Sequence, residues 1–159
     1  MKMNLRFVVH EHHSSRLHFD FRLEMGGVLR SWAIPKGPSM NPSEKRLALQ
    51  VEDHPLDYID FEGIIPEGQY GAGQVVIWDS GEYELFEKRK EMIGFSLKGR
   101  KLRGGFSLIQ LKGRGKGNEW LLIKKRDEHA RPDWKLDLSL PPQKKARGRK
   151  LTSYRAGRA

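Results

Sequence analysis

From Arg16 onward the chain alternates strictly: Leu17, Phe19, Phe21 and Leu23 are apolar, while Arg16, His18, Asp20, Arg22 and Glu24 are polar. Successive side chains of a strand point to opposite faces, so this stretch reads as a β-strand with one face in a core. His18, Asp20 and Arg22 then stand in a row on the other face, each roughly 7 Å from the next along the strand. Upstream, residues 4–10 form a similar pattern, with Leu5, Phe7 and Val9 on one side, and residues 11–15 read as the connection. Downstream, Gly26-Gly27 is a two-residue hairpin turn into a returning strand over 28–34. Pro35, Gly37, Pro38 and Pro42 then interrupt regular structure.

A fourth strand is expected over 47–52, with Leu47, Leu49 and Val51 inward and Pro55 ending its pairing. Arg46, Glu52 and His54 share the opposite parity, which predicts a common face. The glycine-rich run 66–73 (PEGQYGAG) precedes a strand over 75–78. It is neither a dinucleotide fingerprint, since its glycine order is wrong and no helix follows, nor a P-loop, since no Gly-Lys-Ser/Thr is present. Tyr83, Leu85 and Phe86 point to another strand, residues 87–93 to one or two helical turns, and 95–98 to extended chain. A hairpin follows, with strands over 105–111 and 119–125 and a tip carrying Lys112, Arg114 and Lys116. A short helix is expected over 126–131. Many short strands and little helix predict a mainly β fold: a small closed or partly open β-barrel with one or two short helices.

At 159 residues the chain has the length of one domain. We divide it into a barrel domain over 1–140 and a basic tail over 141–159, whose seven Lys and Arg face no acidic residue. Cysteine is absent, which removes disulfides, thiolate zinc sites and a cysteine nucleophile. Any metal must therefore be held by nitrogen and oxygen. No apolar run has the length of a membrane span and the N-terminus lacks signal-peptide features, so a cytoplasmic protein with no membrane partner is expected. Charge is uneven. Residues 1–99 carry 12 Lys and Arg against 15 Asp and Glu, whereas residues 100–159 carry 18 against 5. That basic half suits a polyanion such as nucleic acid.

His12, His18 and Asp20 form a two-imidazole, one-carboxylate set that leaves coordination positions open and suits manganese, ferrous iron or zinc. His10 and His13 are rival ligands to His12, which strand parity favours. Arg16, Arg22 and Arg46 are candidates for holding phosphate oxygens, because a guanidinium offers paired coplanar donors. His54 can donate a proton to a leaving oxygen or stabilise charge on it, and Tyr58 can add a hydrogen bond. Each has a plainer reading: Arg46 as a loop charge, His54 as the end of a strand, Tyr58 as packing. His129 reads as structural or exposed.

Residues 7–84 and 117–130 closely resemble the 3′-phosphoesterase domain of bacterial DNA ligase D. The resemblance is carried by H-x5-H-x-D-x-R (His12 to Arg22), VEDHPLDY (Val51 to Tyr58) and PEGQYGAG (Pro66 to Gly73). It implies a manganese-dependent enzyme, with Zn2+ or Co2+ as other possible metals, that heals DNA or RNA 3′ ends at primer-templates. A terminal ribonucleoside is removed first and the remaining 3′-phosphate second, leaving a 3′-hydroxyl for ligation. By motif, His12, His18 and Asp20 match the metal ligands, and Arg22, Arg46 and His54 match groups on the phosphate. Tyr58 matches a residue of the phosphomonoesterase step. The flanking ligase and polymerase domains are not in this sequence, so it reads as a free-standing version whose ligase acts in trans. The alternative function is a non-catalytic barrel that grips nucleic-acid ends, which would not require His18 with Asp20.

Overall fold

The computed structural model describes residues 4–113 and 115–141. Nine strands run in order: β1 (Leu5–His13), β2 (Leu17–Met25), β3 (Val28–Ile34), β4 (Arg46–Pro55), β5 (Gly63–Ile65), β6 (Gly73–Lys88), β7 (Met92–Lys98), β8 (Arg103–Gln110) and β9 (Glu119–Lys124). The sheet follows the order β1-β2-β3-β4-β9-β8-β7-β6, and β1 also pairs with β6, which closes an eight-stranded antiparallel barrel. The short β5 pairs with the first residues of β6. Closure removes the exposed edges that an open sheet of this size would present.

The barrel interior is filled from the alternation read in the sequence. Phe19, Phe21 and Leu23 of β2 are fully buried, although Leu17 at the strand's start is 36% exposed. Phe21 stacks on Phe95, and Phe95 on Phe106, so one aromatic column crosses the barrel from β2 to β8. Trp32 and Trp120 meet edge to face beside it. Fully burying one such ring contributes about 1.5–3 kcal/mol, so the column fixes β2 firmly. The Gly26-Gly27 turn has positive φ at both residues (63° and 83°), as a tight hairpin between right-twisted strands requires.

Four expectations are corrected. β1 continues to His13, because residues 11–13 pair with both β2 and β6 rather than forming a connection. β6 and β7 form an extended hairpin through residues 87–93, and residues 126–131 form turns, so neither segment is helical. The described residues instead contain a 3-10 helix at Leu56–Asp60, started by Pro55. Finally, the inward residues of β4 are Ala48 and Gln50, which pair with the inward Trp120 and Trp32, while Leu47 is 41% exposed. Gln50 is tolerated there because its Oε1 accepts a hydrogen bond from Trp120 Nε1.

A second, smaller core lies outside the barrel wall. Val8, Leu29 and Ile59 pack there with Tyr58 and Ile77, and they seat the 3-10 helix against β1 and β3. At one end of the barrel the buried Glu11 accepts hydrogen bonds from His13 Nε2 and from the backbone N–H groups of Ser139 and Leu140. Trp134, Leu136 and Leu138 pack on the main core from the same segment. Of the tail, residues 142–159 lie outside the described residues, as does Arg114 of the hairpin tip.

Candidate metal centre and phosphate pocket

The polar face of β2 is not washed by solvent. Asp20 and Arg22 are 6% and 4% exposed, because the 3-10 helix and the loop over 66–72 roof this side of the barrel. Beneath that roof is a cavity of about 490 Å³, whose walls include His12, His18, Asp20, Arg22, His54 and Tyr58. Register explains why they meet. Within the β1–β2 pair His12 lies opposite His18 and His10 opposite Asp20, so even-numbered residues of both strands share the outer face.

His12, His18 and Asp20 bring their ligand atoms within 4.8 Å of one another. Asp20 Oδ2 lies 3.5 Å from His12 Nδ1 and 3.3 Å from His18 Nε2. Each imidazole turns its other nitrogen to a backbone carbonyl: His12 Nε2–H donates to Gly71 O at 2.7 Å, and His18 Nδ1–H donates to Arg16 O at 3.0 Å. In a neutral ring these bonds turn the lone pairs of His12 Nδ1 and His18 Nε2 toward the carboxylate, where a cation would sit; without a cation, a proton on these nitrogens makes the bond to Asp20. The donor set therefore fits a divalent cation held by two imidazoles and one carboxylate. Burial alone would push the Asp20 carboxyl up, yet the bonds from His12 and His18 and the charge of Arg22 hold it well below the usual range. For His18, burial works against the imidazolium, but Asp20 and the Arg16 carbonyl outweigh it and raise its pKa.

Arg22 is fixed from four sides. Its Nε donates to His10 Nδ1 at 3.0 Å, Nη1 donates to Ser31 Oγ at 2.9 Å and approaches His54 Nδ1 at 3.1 Å, and Nη2 lies 3.5 Å from Asp20 Oδ2. Its guanidinium carbon sits 5.0 Å from the centre of the Tyr58 ring. Because His10 Nδ1 accepts from Arg22, its Nε2–H must donate to Phe61 O, 3.1 Å away. Burial and the neighbouring Arg22 charge push the His10 pKa down to about 3, so this imidazole is a neutral acceptor. Burial and Arg22 likewise lower the pKa of His54. His54 Nδ1 also lies 3.2 Å from Glu52 O, so a neutral ring has two choices: it accepts from Arg22 and carries its proton on Nε2, or it donates from Nδ1 to that carbonyl.

The structure thus brings together His12, His18, Asp20, Arg22, His54 and Tyr58. His54 arrives through a bulge. Leu29 pairs with His54 and Ser31 with Val51, so Glu52 and Asp53 oppose the single residue Arg30. The extra residue reverses the alternation of β4, and the parity expected to unite Arg46 with His54 is broken. Arg46 pairs with the core residue Leu122, and its guanidinium binds Gly37 O and Glu44 at the barrel end. Arg16 is exposed on the β1–β2 turn and meets the site through its carbonyl. Neither arginine is among the residues lining the cavity. Of the rival ligands, His10 serves Arg22 and His13 pairs with Glu11. Sequence reasoning missed His10 and Ser31 as partners of Arg22. Strand parity carried a signal for His10, which shares the outer face with His12; Ser31 had none.

A buried two-histidine, one-carboxylate set beside a fixed arginine and a histidine, on the wall of a small β-barrel, is a donor arrangement that fits a divalent cation with an anion beside it. Comparison with known proteins narrows the class: residues 10–110 match the family model described as the DNA ligase D 3′-phosphoesterase domain. The chain is 52% identical over 132 residues, 80% of its length, to the multifunctional non-homologous end joining protein LigD of Pseudomonas aeruginosa. It is 45% identical over 142 residues, 82% of its length, to LigD of Mycolicibacterium smegmatis. The corresponding figures for LigD of Mycobacterium tuberculosis are 42% over 139 residues and 85%. The chain belongs to the DNA ligase D 3′-phosphoesterase domain family. It spans 16–18% of the length of these relatives. Among the described residues no helix is long and apolar enough to cross a membrane.

Proposed function

We propose that this protein is a manganese-dependent 3′-end-healing phosphoesterase. It removes a 3′-terminal ribonucleoside from a DNA or RNA end and then hydrolyses the 3′-phosphate, leaving a hydroxyl for ligation. The observation that carries this reading is the juxtaposition, in one cavity, of the His12–His18–Asp20 set with the Arg22–His54 pair. The family and its end-joining relatives support the substrate class.

His12 Nδ1, His18 Nε2 and Asp20 Oδ2 would hold the cation, which supplies Lewis acidity and lowers the pKa of water. The remaining work falls to side chains already in place. Arg22, charged and held on four sides, has an Nη2 proton left for a non-bridging oxygen and keeps the phosphorus oriented. His54, in the neutral form that accepts from Arg22, carries its proton on Nε2 and donates a hydrogen bond to charge that develops on the phosphoryl or leaving oxygen. Tyr58 backs both groups with its ring, stacked on Phe61 at 4.8 Å. None of these groups must reorganise when substrate arrives, because the barrel has fixed them beforehand.

The test uses a 3′-phosphate oligonucleotide annealed to a template, with the purified protein first in chelator and then with manganese restored. Phosphate release is expected only with the metal, and His18→Ala is expected to lose both manganese binding by calorimetry and turnover. Metal-independent turnover, or full activity in His18→Ala, would overturn the reading. Binding of the end without turnover under any metal would favour a gripping module instead.

A further inference from the structure

The loop over 66–72 has no part in the chemistry above, yet it forms one wall of the cavity through Gln69, Tyr70, Gly71 and Ala72. It is tied down. Gln69 N–H donates to Pro66 O, Ala72 N–H to Gln69 O, and Gly71 O receives the proton of the metal-ligand candidate His12. At Gly73, φ is 129° and a Cβ would meet His13 O at 2.2 Å, so only glycine lets the chain enter β6 there. Tyr70 projects from this anchored loop with 90% of its surface exposed, more than any other large hydrophobic side chain among the described residues. Consecutive Cα atoms are about 3.8 Å apart, so the ring is carried one residue from the carbonyl that orients His12.

We infer that Tyr70 is a stacking platform for the nucleobase adjacent to the phosphate held in this cavity, a subsite that makes the enzyme sense the base at the 3′ end. The inference rests on the phosphoesterase reading for the identity of the phosphate. Its own support is positional. The other tyrosine of the cavity, Tyr58, is already stacked on Phe61 and lies against His54 and Arg22. Tyr70 offers an aromatic surface at the cavity rim, where the nucleoside of a phosphate ester must lie. A flat ring accepts any base, so the subsite favours a base over none rather than one base over another. Phe86, 63% exposed on β6, does not line the cavity and serves as a control.

Two measurements test this. Steady-state kinetics compare a 3′-phosphate end carrying a base with one whose terminal nucleotide is abasic. Tyr70→Ala should raise KM for the base-bearing end about 5- to 100-fold and leave the abasic end unchanged. Tyr70→Phe and Phe86→Ala should behave as wild type. Equal loss on both ends, or no loss on either, overturns the inference. The second readout needs no turnover. A fluorescent adenine analogue, dimmed by stacking, is placed at the 3′-phosphate terminus and bound to saturation, followed by anisotropy, in chelator. Quenching by wild type and Tyr70→Phe, lost in Tyr70→Ala, supports the platform even if the protein hydrolyses nothing, in which case only the phosphoesterase reading falls. Wild type that turns over the substrate without quenching the probe overturns the platform and spares the reading.

Discussion

Replacing His10 by glutamine separates two consequences of one buried imidazole. The ring accepts from Arg22 Nε and donates to Phe61 O, and the first of these bonds requires it to be neutral. A glutamine amide offers an oxygen and an N–H for the same pair of partners, and it does not titrate. The sign of the pH effect follows from the protons bound. Unfolded His10 titrates near 6.5 and folded His10 near 3, so between those values the unfolded chain binds more protons, and stability falls as the solution is acidified. At about 1.36 kcal/mol per pH unit, the contribution lost by pH 4.5 is about 2.7 kcal/mol, or about 5–10 °C of melting temperature for a chain of this size. Thermal melts of metal-free protein in chelator check this. His10→Gln should match wild type within about 1 kcal/mol at pH 7.5 and exceed it by about 2–3 kcal/mol at pH 4.5. His10→Phe keeps the ring's packing but strands the charged Arg22 donor, and should lose about 2–4 kcal/mol at pH 7.5. If wild type and His10→Gln share one acid slope, His10 is not the neutral acceptor described here.

Two further substitutions address the site and its scaffold. Arg22→Lys retains the charge but cannot supply the separate nitrogens that meet His10, Ser31 and Asp20, so kcat on a 3′-phosphate end should fall by about 10²–10³; an activity within threefold of wild type would remove Arg22 from phosphate positioning. The buried Asp79 carboxylate accepts the backbone N–H of its neighbour Ser80 and those of Arg100, Lys101 and Leu102, the last three in the turn between β7 and β8. Asp79→Ala should cost about 3–4 kcal/mol in urea unfolding, with Asp79→Asn in between, and unchanged stability would show that those donors find other partners.

The bulge in β4 also bears on how the cavity could be altered. Leu29 and Ser31 keep their outward facing because the surplus residue lies on β4. Deleting Asp53 would therefore remove the surplus residue and restore regular pairing, with Glu52 alone opposite Arg30 and His54 still opposite Leu29 on the face that holds Arg22. The deletion should keep both the fold and the place of His54, since β4 remains paired to β9 through residues 46–49.

Local periodicity was enough to determine which way β2 faces. Phe19, Phe21 and Leu23 must go inward together, and that alone aligns His18, Asp20 and Arg22, because the period of a strand leaves no other arrangement. Residue chemistry was likewise enough to nominate His12, His18 and Asp20 as one ligand set. What the periodicity of a single strand cannot carry is a change of parity or a contact across strands. The bulge at Glu52–Asp53 separates His54 from Arg46, and it is expressed only in the pairing of β3 with β4. The inward Ala48 and Gln50 also depend on their neighbours, because two tryptophans fill the space a leucine would have taken. The bonds that fix the imidazoles come from the carbonyls of Arg16, Phe61 and Gly71, and a backbone carbonyl has no signature in a sequence. The candidate ligands were legible in the order of residues; their orientation was decided by the closed barrel and the loops it holds over one face.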